Sequence, residues 1–226
     1  MRDDLLKVES LGVNFFVLRD SDGLYLIDGG FVGGVSQLRR ALRNRGWENL
    51  PVRGVLVTHG HLDHILNVGR LAAETGAWIA APRGDRLHYQ GHPLYRGAAK
   101  VVGGLETIGR PLLGFRSFEP DRWLDDGDLL DIWHGLQIVH LPGHTEGHSG
   151  FYCRKLKWLF CGDLFASFGR WSHFPPGILN SDGSKIRGSV EKALESDLEG
   201  VVPNHSDGAP PEVHLERLRC LSRRWD

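Results

Sequence analysis

Between His59 and His64, six residues hold three imidazoles and a carboxylate: His59, His61, Asp63 and His64. No regular element aims these four at one point. On a strand His59 and His61 share a face that His64 opposes, and on a helix His59 and His61 lie far around the axis. A turn that follows a buried strand, loosened by Gly60, lets them converge. Neutral imidazole and carboxylate are the donor set of Zn²⁺ and related first-row divalent metals. A single histidine says little; four donors at this spacing say metal.

The elements around the cluster have to deliver it. Val52–Thr58 reads as a strand whose Val55-Leu56-Val57 run is buried on both faces. Ahead of it, Asn14–Leu18 and Leu24–Ile27 form a hairpin across Asp20-Ser21-Asp22-Gly23, and Asp28-Gly29-Gly30 stops the second strand. Val35, Leu38, Ala41 and Leu42 recur at helical spacing up to Gly46. Behind the cluster, Ile65, Val68, Leu71 and Ala72 predict one helix ending near Gly76, followed by a short strand, Trp78–Ala81, stopped by Pro82. From Arg83 to Asp121 periodicity dissolves into Gly, Pro, Arg and aromatic residues, an inserted flap with at most short helices.

Strand character returns at Leu136–Leu141, Gly150–Cys153 and Trp158–Cys161, then gives way to an irregular stretch, Ser167–Lys185. A helix over Val190–Leu198, a buried strand at Val201-Val202 and a last helix opened by Pro210-Pro211 complete the pattern. Strands alternating with helices predict a layered α/β or α+β protein. The halves also echo each other. Leu26-Ile27-Asp28-Gly29-Gly30 and Leu159-Phe160-Cys161-Gly162-Asp163 are apolar strands running into Gly and Asp, and each precedes a helix and a strand ending in histidine. Two such halves would stack as a four-layer sandwich.

Composition narrows the function. With 27 Lys+Arg against 28 Asp+Glu the 226-residue chain carries a net charge of −1, so no basic surplus points to nucleic acid. Three cysteines, Cys153, Cys161 and Cys220, do not make a disulfide framework. No apolar run approaches the roughly 20 residues that span a bilayer. Met1–Ser10 lacks the apolar core of a secretory signal, so the expectation is a cytoplasmic protein acting on a small molecule, with no membrane or nucleic-acid partner.

The His-x-His-x-Asp-His pattern resembles the hallmark of the metallo-β-lactamase superfamily, and the resemblance extends along nearly the whole chain. Leu141-Pro142-Gly143-His144-Thr145-Glu146-Gly147-His148-Ser149 is similar to its second ligand motif, Phe160-Cys161-Gly162-Asp163 to the third, and Val202-Pro203-Asn204-His205 to the last. The resemblance implies an α+β fold, a four-layer αβ/βα metallo-β-lactamase sandwich of two mixed sheets with outer helices. It implies a single domain over 1–226 with 83–121 as the flap. It places His59, His61 and His144 on one metal, Asp63, His64 and His205 on the other, and Asp163 across both. The implied cofactor is two Zn²⁺, with iron or manganese as alternatives.

Two divalent ions against two carboxylates leave a charge of about +2, which stabilises a bridging hydroxide at neutral pH. Such a metal pair, about 3.5–4 Å apart, needs no serine or cysteine nucleophile. Asp63 is the expected catalytic residue, orienting the hydroxide and carrying a proton to the leaving group. Asp28 is expected to brace the metal loops, His148 to support them, and His134 and His140 to be structural. Cys161 reads as a buried thiol, and His88 and His92 as surface residues of the flap.

The substrate is read from departures within the superfamily. The 21 residues after His205 make one helix at most, which argues against a glutathione thioester of the glyoxalase II-like kind. Ala166 stands where lactonase-like members carry a tyrosine, weakening a lactone. Asp163 and the absent signal argue against a β-lactam, and neutral charge against RNA or another phosphodiester. Phe165, Phe168, Trp171 and Phe174 would make an apolar mouth, and Arg83, Arg86, Arg96, Lys100, Arg110 and Arg116 a source of cations. Together they suit a small ester, thioester or lactone bearing a negative group. The rival reading is a mononuclear iron, persulfide dioxygenase-like enzyme, which would use fewer of the seven donors. A non-catalytic binding module would have lost one, and none is lost.

Overall fold

The structure is a computed structural model describing residues 2–93, 95 and 100–225. Its first half runs β1 (Leu5–Ser10), β2 (Val13–Asp20), β3 (Gly23–Ile27), α1 (Gly34–Arg45), β4 (Val52–Leu56), α2 (Leu62–Ile65), α3 (Val68–Thr75), β5 (Trp78–Pro82), α4 (Arg86–Tyr89), α5 (Lys100–Leu112) and β6 (Arg122–Leu124). The second half runs β7 (Leu129–Leu130), β8 (Leu136–His140), β9 (Ser149–Cys153), β10 (Trp158–Gly162), α6 (Ile186–Glu195), β11 (Gly200–Pro203) and α7 (Pro211–Ser222).

Six strands in the order β1-β2-β3-β4-β5-β6 make one sheet, and five in the order β11-β10-β9-β8-β7 the other. Both are mixed: β3 to β6 run parallel beside an antiparallel β1-β2-β3 edge, and β10 pairs parallel with β11 and antiparallel with β9. Alternation along β2 shows how the layers form. Phe15 and Val17 pack outward with Val35, Leu38 and Leu71 of α1 and α3, whereas Phe16 and Leu18 pack inward with Phe151 and Phe160 of the second sheet. On the far side Leu159 and Val201 pack against Val190 of α6 and Leu215 and Leu218 of α7. The result is a four-layer αβ/βα sandwich. A strand buried on both faces reads as a continuous apolar run, which is why β2 and β4 lack polar alternation.

Where the structure departs from the sequence reading, side chains explain it. The single helix expected over Ile65–Ala72 is broken into α2 and α3. Asn67 sits between them and donates to the carbonyls of Gly29, Gly30 and Phe31 at 3.0, 3.1 and 2.8 Å, anchoring the break. Strands β1, β6 and β7 escaped the reading, and α6 begins at Ile186 and stops short of Leu198.

The flap holds a 13-residue helix, α5, hidden in the sequence by Gly103, Gly104, Gly109 and a Pro111 in its last turn. Its polarity is inverted. Glu106 and Arg110 pair at 2.7 Å on the inner face, while Val101, Leu105, Ile108 and Leu112 are 64–79% exposed. No helix among the described residues is long and apolar enough to cross a membrane.

Candidate metal centre

The candidate donors follow the C-terminal ends of β4, β8, β10 and β11, on the loops there and, for Asp63 and His64, on the short helix α2. Asp28, just past β3, is the hub. It is fully buried and holds a left-handed backbone (φ 65°). Its Oδ1 accepts from the Thr58 amide at 2.8 Å; its Oδ2 accepts from the Thr58 hydroxyl at 2.8 Å, His64 Nδ1 at 3.0 Å and Asn204 Nδ2 at 2.8 Å. Because the Thr58 hydroxyl gives its proton to Asp28, its oxygen is free to accept from His59 Nδ1 at 2.9 Å. One carboxylate thus sets the tautomer of two histidines, the arrangement that raises ligand basicity in metal sites. The Nδ1 atoms of His144 and His205 are held in the same way, by Asn180 Oδ1 and the Gly12 carbonyl, each at 3.0 Å.

With Nδ1 of His59, His64, His144 and His205 committed, Nε2 of each is left to point inward. The Nε2 atoms of His59, His61, His64 and His144, and Oδ1 of Asp163, are buried without a hydrogen-bond partner. Orphaned polar atoms are rare in a folded interior, and five around one point need something to bind. The structure brings together every candidate donor of the sequence reading. His59, His61 and His144 form one group and Asp63, His64, Asp163 and His205 the other, with donor atoms inside each group within 4.8 Å. Asp163 Oδ2 lies between them, 3.1 Å from His205 Nε2, 3.3 Å from His64, 3.5 Å from His144 and 4.0 Å from His59. Donor type, burial and orphaned nitrogens fit a pair of divalent ions.

Electrostatics say the same. Burial, reinforced by the neighbouring imidazoles, holds His59 and His61 well below the ordinary histidine range, so both offer lone pairs. Asp163 is buried too, yet His205 and His64 outweigh that and keep its carboxyl ionised. In return Asp163 pushes His205 up to about 10. The carboxylates demand positive charge, which protons or cations can supply.

Gly162 aims Asp163. Its φ of 56° and a register shift between Phe160 and Gly162 turn the chain out of β10, and a Cβ there would sit 2.6 Å from His148 Nε2. His148 donates from Nδ1 to the Leu141 carbonyl at 2.9 Å and accepts the Asp163 amide at Nε2 at 3.0 Å, the supporting role expected of it. Burial holds it down to about 3. The folded state therefore refuses a proton that the unfolded chain accepts near pH 6.5, so this stability is complete above pH 6.5 and drains as pH falls toward 3. Denaturant unfolding of the metal-free protein should lose on the order of 4 kcal/mol from this group across that window. A His148→Gln variant should show a visibly flatter profile; an equal slope would remove His148 from the account.

Asp85 was missed. It is 1% exposed, and accepts from the Gly60 amide at 2.8 Å and the Thr145 hydroxyl at 2.6 Å through Oδ2, and from the Gly147 amide at 2.8 Å through Oδ1. It ties the His59–His64 loop to the His144–His148 loop. Its position just past a parallel strand, like that of Asp28, was the available signal.

The flap reading needs two further corrections. His88 is buried rather than on the surface, pairing through Nδ1 with the Gly60 carbonyl at 3.0 Å. Arg110 is an internal strut to Glu106 and the His88 carbonyl. Gly60 is needed for space, since a Cβ there would lie 2.5 Å from His88 Cβ. His92 is exposed, His134 pairs with Asp4 at 2.6 Å, and His140 with the Glu146 carbonyl at 2.9 Å, all as expected. Arg96 lies outside the described residues. Cys161 is fully buried, which pushes its thiol up.

Beside the centre a cavity of about 210 Å³ is lined by His144, Asp163 and His205 on one side and Phe165, Phe168 and Leu179 on another. Trp171 is 70% exposed, and Phe174 stacks on Trp225 at 4.3 Å, so neither forms the mouth. No lysine or arginine lines this cavity among the described residues.

Two face-to-face mixed sheets, helices outside and histidine–aspartate donors at the strand ends define a metallo-hydrolase fold. The family model of the metallo-beta-lactamase superfamily matches residues 9–205, and the chain belongs to that superfamily. Over 144 residues it is 32% identical to the hydroxyacylglutathione hydrolase GloC of Haemophilus influenzae, a match covering 62% of this chain and 62% of that relative's length. A solved structure of TTHA1623 in a di-iron-bound form is 25% identical, with a TM-score of 0.68 over 93% of this chain and 96% of the other. BJP-1, a subclass B3 metallo-beta-lactamase of Bradyrhizobium japonicum, shares the fold at 21% identity, with a TM-score of 0.71 over 99% of this chain and 90% of its own.

Proposed function

We propose that the protein is a metal-dependent hydrolase of small acyl thioesters, acting through a dinuclear centre. The observation that carries this reading is the pair of donor groups meeting at Asp163 Oδ2 beside a small, largely apolar cavity. His59, His61 and His144 would hold one ion, Asp63, His64 and His205 the other, and Asp163 would bind both. When bound, the metals supply Lewis acidity and lower the pKa of water to about 7.

The chain's own residues do the rest. Asp28, Asn180 and the Gly12 carbonyl engage Nδ1 of His64, His144 and His205 and leave each Nε2 aimed inward. Asp63 is the catalytic residue. Its side chain is 31% exposed and stands 3.5 Å from His205, between the cluster and solvent. From there it takes the proton of the attacking water and delivers it to the leaving sulfur. Phe165, Phe168 and Leu179 shield the acyl group from water.

The hydroxyacylglutathione hydrolase relatives support a thioester and return glutathione conjugates to consideration. The flap arginines give no support for an anionic group on the substrate: Arg110 is internal, and Arg83 and Arg86 lie over Trp123 at 5.1 and 6.0 Å. Seven intact donors favour two ions over one, and the di-iron structure shows that a similar chain holds two.

Zinc-loaded protein should cleave thioesters in preference to lactones, phosphodiesters and β-lactams, with about two metal ions per chain by elemental analysis. A chelator should lower turnover by about 10³-fold or more, and added zinc should restore it. One iron per chain with oxygen uptake on a persulfide would replace the hydrolase with a dioxygenase.

A further inference from the structure

The segment between β10 and α6 gives the cavity beside the centre one polar side chain that the mechanism above does not use. Ala166 and His173 exchange backbone hydrogen bonds, Ala166 to the His173 carbonyl at 2.9 Å and His173 to the Ala166 carbonyl at 3.0 Å. Residues paired in this way project their side chains to the same face of the ladder. Both line the cavity that holds His144, Asp163 and His205, and the small Ala166 side chain leaves its neighbour's space open. Apart from the candidate metal donors, His173 is the only lining residue with a polar side chain among the described residues; the others are Phe165, Ala166, Phe168, Pro175, Pro176 and Leu179.

The tautomer of His173 follows from its contact. Nδ1 lies 2.8 Å from the Phe174 carbonyl, which can only accept, so Nδ1 carries the proton. Nε2 is then the ring nitrogen left to accept, on an exposed side chain, and it meets no donor among the described residues. At about 210 Å³ the cavity falls below the roughly 300–1,000 Å³ of sites that engulf drug-sized ligands, so it suits an acyl group and not a whole conjugate. A compact apolar cavity with one acceptor matches an acyl group that is short, uncharged and carries one donor.

We propose that His173 is a specificity-determining residue that accepts, at Nε2, the hydroxyl of a short hydroxyacyl group lodged against Phe168 and Leu179. This rests on the thioester-hydrolase reading for the identity of the scissile bond. It goes beyond that reading in assigning recognition of the hydroxyl to one named side chain.

The test compares 2-hydroxypropanoyl and propanoyl thioesters of one thiol on zinc-loaded enzyme. It is paired with calorimetric binding of the two free acids. A neutral hydrogen bond at a partly solvated site should favour the hydroxylated member about five- to tenfold in kcat/KM and in Kd. His173→Phe should bring both ratios near one, and His173→Gln, whose side-chain carbonyl still accepts, should keep most of the preference. Hydrolysis of both thioesters with no preference, or a preference surviving in His173→Phe, overturns the role of His173 and leaves the hydrolase standing. Failure to cleave either thioester, with a binding preference that His173→Phe abolishes, keeps His173 and removes the thioester. Failure to cleave with equal binding of the two acids removes both.

Discussion

Asp63→Asn in the zinc-loaded protein should hydrolyse its thioester about 10³-fold more slowly than wild type while keeping its far-ultraviolet circular dichroism. Two losses combine. A positioned general base or acid is worth about 10²–10⁴-fold, and the amide cannot accept and return a proton in the same way. The amide is also a poorer metal donor, so the ion held by Asp63, His64 and His205 should bind more weakly and the metal content fall toward one per chain. In the present structure His64 and His205 hold the Asp63 carboxyl below its usual range against the desolvation of its half-buried position, 3.6 and 3.5 Å from its Oδ2. The fold is spared because Asp63 projects from the short helix α2 at the rim, where its approach to another loop is the 3.5 Å contact with the His205 imidazole. Turnover within tenfold of wild type, measured at saturating zinc, would end the assignment of Asp63 as catalytic.

Asp85→Ala should behave in the opposite way, lowering stability by about 3–5 kcal/mol and metal retention with it. Three donors converge on its carboxylate from two loops, at 2.6–2.8 Å, and none has another route to water. Each buried donor left without a partner costs about 1–3 kcal/mol. Asp85→Asn is the sharper control. Its oxygen can still face Gly60 and Thr145, but its amide then meets the Gly147 N–H, donor against donor. It should fall between wild type and Asp85→Ala in denaturant midpoint. The kinetic defect should follow the loss of bound metal, since Asp85 contacts backbone amides and the Thr145 hydroxyl instead of the metal-ligating side chains, and acts by keeping the His59–His64 and His144–His148 loops in register. A denaturant midpoint for Asp85→Ala corresponding to less than about 1 kcal/mol of lost stability would show that the two loops are held by other means.

These variants mark two depths of legibility. Asp63 announced itself, since the spacing of His59, His61, Asp63 and His64 is a local property that no regular element explains. Asp28 was readable in the same way, as an acidic residue ending an apolar strand. Asp85 was not. It stands in a stretch whose glycines and prolines erase periodicity, and its three partners lie 25 to 62 residues away in sequence. Helix α5 escaped for a related reason. Its inner face is chosen by the Glu106–Arg110 pair and by Gly103 fitting against Tyr95, so its apolar side faces out and the usual amphipathic signature is reversed.

By itself the chain determined which donors it owns, the order in which strands present them, and a layered arrangement of strands and helices, because donor spacing and apolar runs are written over a few residues. Only the tertiary structure decided which nitrogen of each imidazole is free, that Asp163 Oδ2 lies between the two groups, and which side chains wall the cavity. Those outcomes depend on pairs such as His64 with Asp28, His144 with Asn180 and Ala166 with His173. Hydrogen bonds and packing across loops set them, and such contacts leave no period in the sequence.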